Sequence, residues 1–220
     1  MEALRRFGED LWIADGPTVR FFGTPYPTRM VVVRLNDGSL WINSPVAATS
    51  QQAAHLEEVG PVAHLVSPTP LHDWRLKLWA EFFPRAQVWK ASTLGNAPPP
   101  AWRNEIGQAF FRGSIVLSEI EFFHRRSRTL IIGDFIQNFQ PQHGRRLRNA
   151  LLRFGGILEG GAPRDLRFSF LGKRRRRMGR ESLREILSWD FDKVVVAHGD
   201  CVENDARTFV ERSFRWLQDS

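Results

Sequence analysis

The chain has 220 residues, of which 42% are hydrophobic, so it can bury a full core and is too apolar for a disordered protein. One cysteine, Cys201, excludes an internal disulfide framework, and no apolar run approaches the roughly 20 residues that span a membrane. The net charge of +7 favours acidic partners, and we expect a cytoplasmic protein without a membrane span.

The first quarter of the chain has the turn residues and alternation of a β-meander. Residues 10–15 and 19–23 are predicted to form a hairpin, with a Gly-Pro pair at its turn. Residues 29–35 and 39–42 are predicted to form a second hairpin, because an Asp-Gly pair between them is a strong turn signal.

The next stretch alternates between helix and strand patterns. Residues 50–59 and 71–83 have helical signals, whereas residues 62–67 and 86–90 are short apolar strands. A strand, a helix and a second strand in this order predict parallel pairing of the two strands. Residues 92–112 contain three consecutive prolines and are predicted to be mostly loop.

The second half repeats the order of hairpin, helices and strand. The predicted elements are a hairpin of residues 114–123 and 129–133, helices at 143–154 and 181–189, a strand at 194–197 and a closing helix at 204–217. A basic and irregular insertion is expected at about 155–180, where glycines and a run of five cations interrupt the pattern.

Three of the apolar strands lead to histidine or aspartate. Strand 194–197 is followed by His198 and strand 129–133 by Asp134, while strand 62–67 leads through two prolines to His72 and Asp73. Because α/β folds place ligands at the carboxyl ends of their strands, these residues are candidates for a metal or acid–base site. Each also has a structural explanation, such as helix capping by Asp73 or a satisfied buried His198.

The order of elements and several motifs resemble the metallo-β-lactamase superfamily. The run Leu130-Ile131-Ile132-Gly133-Asp134 resembles the family's Gly-Asp strand, and Ala197-His198-Gly199 resembles the ending of its last strand. The resemblance covers roughly residues 10–217 and identifies a degenerate branch of the superfamily, known as a domain of unknown function. It implies a mixed α/β (α+β) fold, namely an αββα four-layer sandwich, with residues 1–220 as a single domain.

The chain departs from the family's metal-binding motif, His-x-His-x-Asp-His. Pro68 and Pro70 stand where its first two histidines belong, and the Asp-His pair is reversed as His72-Asp73. The family's middle histidine has no counterpart; the nearest candidates are Glu119, Glu121 and His124. The resemblance therefore implies a reduced site with one zinc or other divalent ion, held by His72, Asp134 and His198 with Asp73 as ligand or general base. A metal-free remnant is the alternative.

The basic residues favour an anionic small molecule or nucleic acid as the partner. The residues predicted to bind anions are Arg145, Arg146, Lys173, Arg174 and Arg175; a solvated, mobile basic loop is the alternative. Two functions follow. One is a mononuclear metal-dependent hydrolase acting on an anionic substrate, and the other is a non-catalytic relative that binds an acidic partner or ligand through its basic surface. The sequence leaves open whether the protein is an enzyme.

Overall fold

The structure, a computed structural model, describes residues 1–21 and 24–218. The chain divides into two compact units, Met1–Gly107 with His124–Ser127, and Gln108–Phe123 with Arg128–Ser220. That the whole chain forms a single domain stays a prediction. In the described part of the chain, no helix is long and apolar enough to cross a membrane.

The first unit contains a six-stranded sheet. In spatial order its strands are β1 (Arg5–Gly8), β2 (Leu11–Phe21), β3 (Thr24–Arg34), β4 (Leu40–Asn43), β5 (Val62–Ser67) and β6 (Gln87–Lys90). The first four strands are antiparallel, whereas β5 pairs in parallel with both β4 and β6. The parallel pairing predicted from the strand–helix–strand order is therefore confirmed.

Helices follow β4 and β5. Helix α1 (Ser50–Glu57) begins with a capping box in which Thr49 and Gln52 bond to each other's backbone. A 3₁₀ segment (Pro70–Arg75) leads into α2 (Leu76–Phe82). These helices bury Leu56 and Trp79 in one apolar cluster with sheet residues such as Leu65. Burial of these side chains fixes the position of His72 and Asp73, which lie between β5 and α2.

The predicted hairpin with its turn at Gly16 and Pro17 is wrong. Strand β2 runs through both residues and pairs with β3 on either side of a bulge, where the register shifts between Gly16 and Val19. A Cβ on Gly16 would lie 2.6 Å from the side chain of Val46, so this glycine permits close packing instead of a turn. The last two residues of the predicted strand 19–23 lie outside the described residues.

A four-stranded sheet lies in the second unit, except for the first two residues of β7 and the last residue of β8. Its strands are β7 (Ile106–Phe111), β8 (Glu119–His124), β9 (Thr129–Ile132) and β10 (Lys193–Val196), arranged in the order β10-β9-β8-β7. Strand β7 lies in the stretch 92–112, for which the weak pattern and three consecutive prolines predict mostly loop. Phenylalanines pack among aliphatic residues in the core of this unit. The ring of Phe111 lies 4.6 Å from that of Phe135 and 4.8 Å from that of Phe214.

The basic insertion predicted at 155–180 is not irregular. The helices of the second unit are α3 (Arg146–Gly155), α4 (Arg164–Phe168), α5 (Gly172–Leu187), α6 (Ala206–Ser213) and α7 (Arg215–Gln218). The run Lys173–Arg177 forms the start of α5 because lysine and arginine are good helix formers. It is held in place further along the helix, where Leu183 and Ile186 are buried. Four of the five cations are exposed, as predicted.

Candidate metal centre

His72 lies in the 3₁₀ segment that follows β5. Pro70 begins this segment, and the Thr69 hydroxyl accepts a hydrogen bond from the backbone N–H of Leu71. The ring Nδ1 of His72 lies 2.7 Å from the hydroxyl Oγ of Ser44. This hydrogen bond fixes the orientation of the imidazole, as the outer partners of metal-ligating histidines do.

Ser44 was not identified from the sequence. It directly follows β4, and its backbone has a φ of +54°, in the left-handed region that non-glycine residues seldom adopt. Its N–H donates to the carbonyl of Val66 at 2.9 Å, which ties the end of β4 to β5. Unusual backbone at a strand end is a feature of functional sites. The available signal was the Asn43-Ser44-Pro45 sequence at the end of an apolar strand.

Replacing Ser44 should weaken metal binding through His72. Both Ser44→Ala and Ser44→Gly remove the hydroxyl and are expected to lower zinc affinity by roughly 10- to 100-fold. The two variants separate orientation from backbone strain, because glycine suits a φ of +54° and alanine does not. Chelator competition measures the affinity and thermal melting the stability. Zinc affinity equal to that of the wild type in both variants would show that Ser44 has no orienting role.

Asp134 and His198 are brought together by the register of two parallel strands. Ile132 at the end of β9 pairs with Val196 at the end of β10, and the two polar residues each follow two positions later. Equal offsets from paired residues place their side chains side by side at the carboxyl edge. The His198 Nε2 atom lies 3.0 Å from Asp134 Oδ1, and both residues are buried.

Asn138 connects the loops that carry these two residues. Its backbone N–H donates to the carbonyl of His198 at 3.0 Å, and its carbonyl accepts from the N–H of Asp200 at 2.8 Å. Its side-chain amide donates to the carbonyl of Asp200 at 2.7 Å. Three hydrogen bonds therefore join the two loops, one to His198 before Gly199 and two to Asp200 after it. They keep His198 beside Asp134.

The buried carboxylate of Glu119 holds the backbone at Asp134. Its two oxygens accept from the N–H groups of Gly133 and Asp134, each at 2.7 Å. A Cβ on Gly133 would lie 2.8 Å from Glu119 Oε1, so glycine is needed for this close approach. Burial first, and then the neighbouring Glu119 carboxylate, raise the pKa of Glu121 well above its ordinary value. Neither glutamate was assigned this supporting role from the sequence.

The three predicted ligands lie in different units of the structure. Asp134 and His198 lie side by side in the second unit, and His72 lies in the first. The remaining predicted site residue, Asp73, is half-buried, and its Oδ2 lies 3.5 Å from the Nζ of Lys90. The predicted ligand set consists of two imidazoles and one carboxylate, with an ion-paired carboxylate next to His72 in the chain.

His124, one of the nearest candidates for the family's middle histidine, is engaged elsewhere. Its Nδ1 lies 2.7 Å from the hydroxyl of Ser127, within the turn between β8 and β9. Burial, followed by the positive charge of Arg126, lowers the pKa of His124 to about 4. His124 is therefore a neutral structural residue at pH 7.

The lowered pKa of His124 should make the folded chain less stable in acid. Because the pKa of His124 is lower in the folded chain than the unfolded value of 6.5, its contribution is complete above pH 6.5 and is lost as the pH falls toward 4. The full loss would be roughly 3 kcal/mol. Urea unfolding between pH 7 and 4 should show the difference between wild type and His124→Gln shrinking as the pH falls. A constant difference would contradict this assignment, and exposed His143→Gln serves as the control.

The residues predicted to bind anions all lie in the second unit. Arg145 and Arg146 stand at the start of α3, and Lys173, Arg174 and Arg175 lie in the first turns of α5. All five are exposed. Their positions near two helix N-termini allow contact with an external anion, and that role stays a prediction.

Comparison with known proteins establishes the fold. The model of a domain of unknown function, DUF4336, matches residues 11–94, and no curated protein matches the sequence. A solved metallo-β-lactamase from Pontibacter korlensis is 13% identical with a TM-score of 0.64, covering 100% of both chains. One from Erythrobacter litoralis in a mono-zinc form is 13% identical with a TM-score of 0.60, covering 99% of this chain and 97% of that one.

A third similar structure is the metal-soaked Flv1 flavodiiron core from Synechocystis sp. PCC6803. It is 11% identical with a TM-score of 0.64, covering 98% of this chain, whereas this chain spans 60% of that protein. The protein thus has the metallo-β-lactamase-like αββα fold, and the fold class predicted from the sequence motifs is confirmed.

Proposed function

We propose that the protein is a hydrolase that uses one divalent metal ion, held by His72, Asp134 and His198. The observation that carries the proposal is the buried pair of Asp134 and His198, whose Oδ1 and Nε2 atoms lie 3.0 Å apart. The mono-zinc form of the Erythrobacter litoralis protein supports a single ion on this fold. We take zinc as the first candidate, because imidazole and carboxylate ligands both suit it.

The residues present fit such an ion. Two ligand atoms bound to zinc at about 2 Å in a tetrahedral site lie about 3.3 Å apart. The 3.0 Å separation of His198 Nε2 and Asp134 Oδ1 is close to this value, so a small movement admits an ion between them. Three protein ligands also match the usual catalytic zinc site, which keeps its fourth position for water.

The chain's own residues would position the ion and the reacting water. A bound divalent ion lowers the pKa of its water toward ~7 and so supplies a hydroxide nucleophile near neutral pH. Ser44 orients the His72 ring, and Glu119 holds the backbone of Asp134. We assign Asp73 the role of general base, with Lys90 as its ion-pair partner.

We expect one ion and not two. Pro68 and Pro70 stand where two imidazoles of the family motif belong, and proline has no side-chain donor atom. The remaining ligands suffice for one tetrahedral site but not for a pair of ions. We therefore expect no appreciable hydrolysis of β-lactams, and the net charge of +7 favours an anionic substrate in the cytoplasm.

The second candidate is a non-catalytic protein that binds an acidic partner or ligand. The exposed cations at the start of α3 and α5 favour it, as does the loss of two family histidines. A metal assay separates the two candidates, since only the hydrolase needs an ion at the three ligands.

The decisive test is the metal content of protein purified without a chelator or a metal-affinity tag. We expect at most one tightly held ion per chain by elemental analysis, and restoration to one per chain when metal-free protein is titrated with zinc. Two ions per chain would contradict the mononuclear site. Failure to bind zinc, cobalt or manganese at all would reject the hydrolase and leave the non-catalytic candidate.

A further inference from the structure

Helix α3 turns its apolar face outward. Leu147, Leu151 and Phe154 recur at spacings of four and three, which places them on one face of the helix. Their exposed fractions are 75%, 60% and 67%, whereas the buried residue of this helix is Leu152. A helix in a soluble domain normally buries its apolar stripe, so this face is suited to contact with another apolar medium.

The exposed face continues onto α4. The guanidinium of Arg164 lies 4.2 Å from the centre of the Phe154 ring, which links the two helices. One turn further along α4 lies Phe168, followed by Leu171 after the helix, and both are more than half exposed. We name the set of Leu147, Leu151, Phe154, Phe168 and Leu171 the α3–α4 surface.

Positive charge is concentrated in the same part of the chain. Residues 141–180 contain twelve arginines and lysines against two acidic residues, Glu159 and Asp165. Since the whole chain has a net charge of +7, the remaining residues are net acidic. Helix α3 itself contains three arginines and no acidic residue. The apolar residues of the α3–α4 surface therefore lie in a part of the chain that is rich in arginine and lysine.

We propose that the α3–α4 surface binds the face of a membrane that contains anionic lipids. Leucine and phenylalanine side chains would enter the boundary between headgroups and acyl chains, and the surrounding arginines would contact lipid phosphates. An amphipathic helix with basic flanks binds membranes in this way, lying in the plane of the interface. The inference goes beyond the proposed hydrolase and does not depend on a metal.

The same features disfavour the other occupants. A second copy of the chain would bring an identical set of cations against the first, and their repulsion opposes pairing. A nucleic acid would neutralise the arginines through its phosphates but would leave Leu147, Leu151 and Phe168 in water. An anionic membrane surface satisfies both the charge and the exposed side chains.

Co-sedimentation of the full-length protein with lipid vesicles tests the proposal. One set of vesicles contains phosphatidylcholine alone, and the other contains phosphatidylcholine mixed with phosphatidylglycerol. We expect at least roughly tenfold tighter binding to the anionic vesicles, and weaker binding as salt is raised.

Two double variants separate the apolar and charged parts of the surface. Leu147→Ser/Leu151→Ser and Arg145→Glu/Arg146→Glu should each lower binding to anionic vesicles by roughly tenfold or more. Leu71→Ser and Arg85→Glu change exposed residues in the first unit and should leave binding unchanged. Melting temperatures should match the wild type, because all the altered side chains are exposed.

Several outcomes would overturn the proposal. These are no binding to anionic vesicles, equally tight binding to neutral ones, or equal losses in the control variants. A dimer in solution that Leu147→Ser/Leu151→Ser dissociates, without vesicle binding, would assign the surface to a second copy. Binding to an oligonucleotide in place of vesicles would assign it to nucleic acid.

Discussion

Replacing His198 by alanine is expected to lower the affinity for zinc by at least about 100-fold while leaving the protein folded. The change removes one of three ligands, and the two that remain cannot complete a tetrahedral site. The sheets and helices supply the apolar core, so the ion is not needed for folding. Loss of the bond to buried Asp134 should lower the free energy of unfolding by only about 1–3 kcal/mol.

Two measurements check this result, namely zinc affinity by competition with a chromogenic chelator and metal-free stability by thermal melting. His143→Ala is the matched control, since it removes an exposed histidine outside the site. An affinity unchanged from the wild type would show that any bound ion lies elsewhere. Unfolding of His198→Ala at room temperature would show that this histidine supports the structure itself.

Of the substitutions predicted in this article, Gly199→Ala should lower the free energy of unfolding the most. Gly199 has a φ of +96°, and a Cβ there would lie 2.2 Å from the carbonyl oxygen of Asn138. That oxygen belongs to the backbone and accepts a bond from Asp200, so it cannot move without breaking the connection between the loops. Steric overlap and an unfavourable φ together should cost roughly 3 kcal/mol or more.

The same change should separate His198 from Asp134, so zinc affinity should fall along with the urea midpoint. The control is Gly155→Ala at the end of α3, where the added Cβ meets its nearest neighbour at 3.7 Å. Alanine there should be neutral or stabilising by a few tenths of a kcal/mol. A Gly199→Ala protein as stable as the Gly155→Ala control would contradict the packing of these loops.

The residues found from the sequence share a local signal. Asp134 and His198 each follow an apolar run, and that pattern indicates the end of a buried strand. Their supporting residues have no such pattern. Asn138 bonds to Asp200 and Ser44 to His72, so each contact joins positions far apart in the chain. Neighbouring residues give no sign of such a partner, and only the folded chain reveals it.

Where the structure differs from the sequence-based prediction, long-range packing overrides a local signal. A Gly-Pro pair at residues 16–17 predicts a turn, but pairing with β3 outweighs that preference and glycine serves close packing instead. Repulsion between like charges predicts a loop for the cation run Lys173–Arg177. Its charges point into solvent at the start of α5, and the buried later turns of that helix outweigh their repulsion.

The parallel pairing of β9 and β10 also sets when the Asp134–His198 pair can form. Asp134 precedes its partner by 64 positions, and the intervening segment contains three helices. At about 5–20 residues per second, a ribosome adds Asp134 to the chain several seconds before it adds His198. During that interval the nascent chain has one carboxylate and no facing imidazole. The ion proposed at this pair would therefore bind only after the last strand has been made.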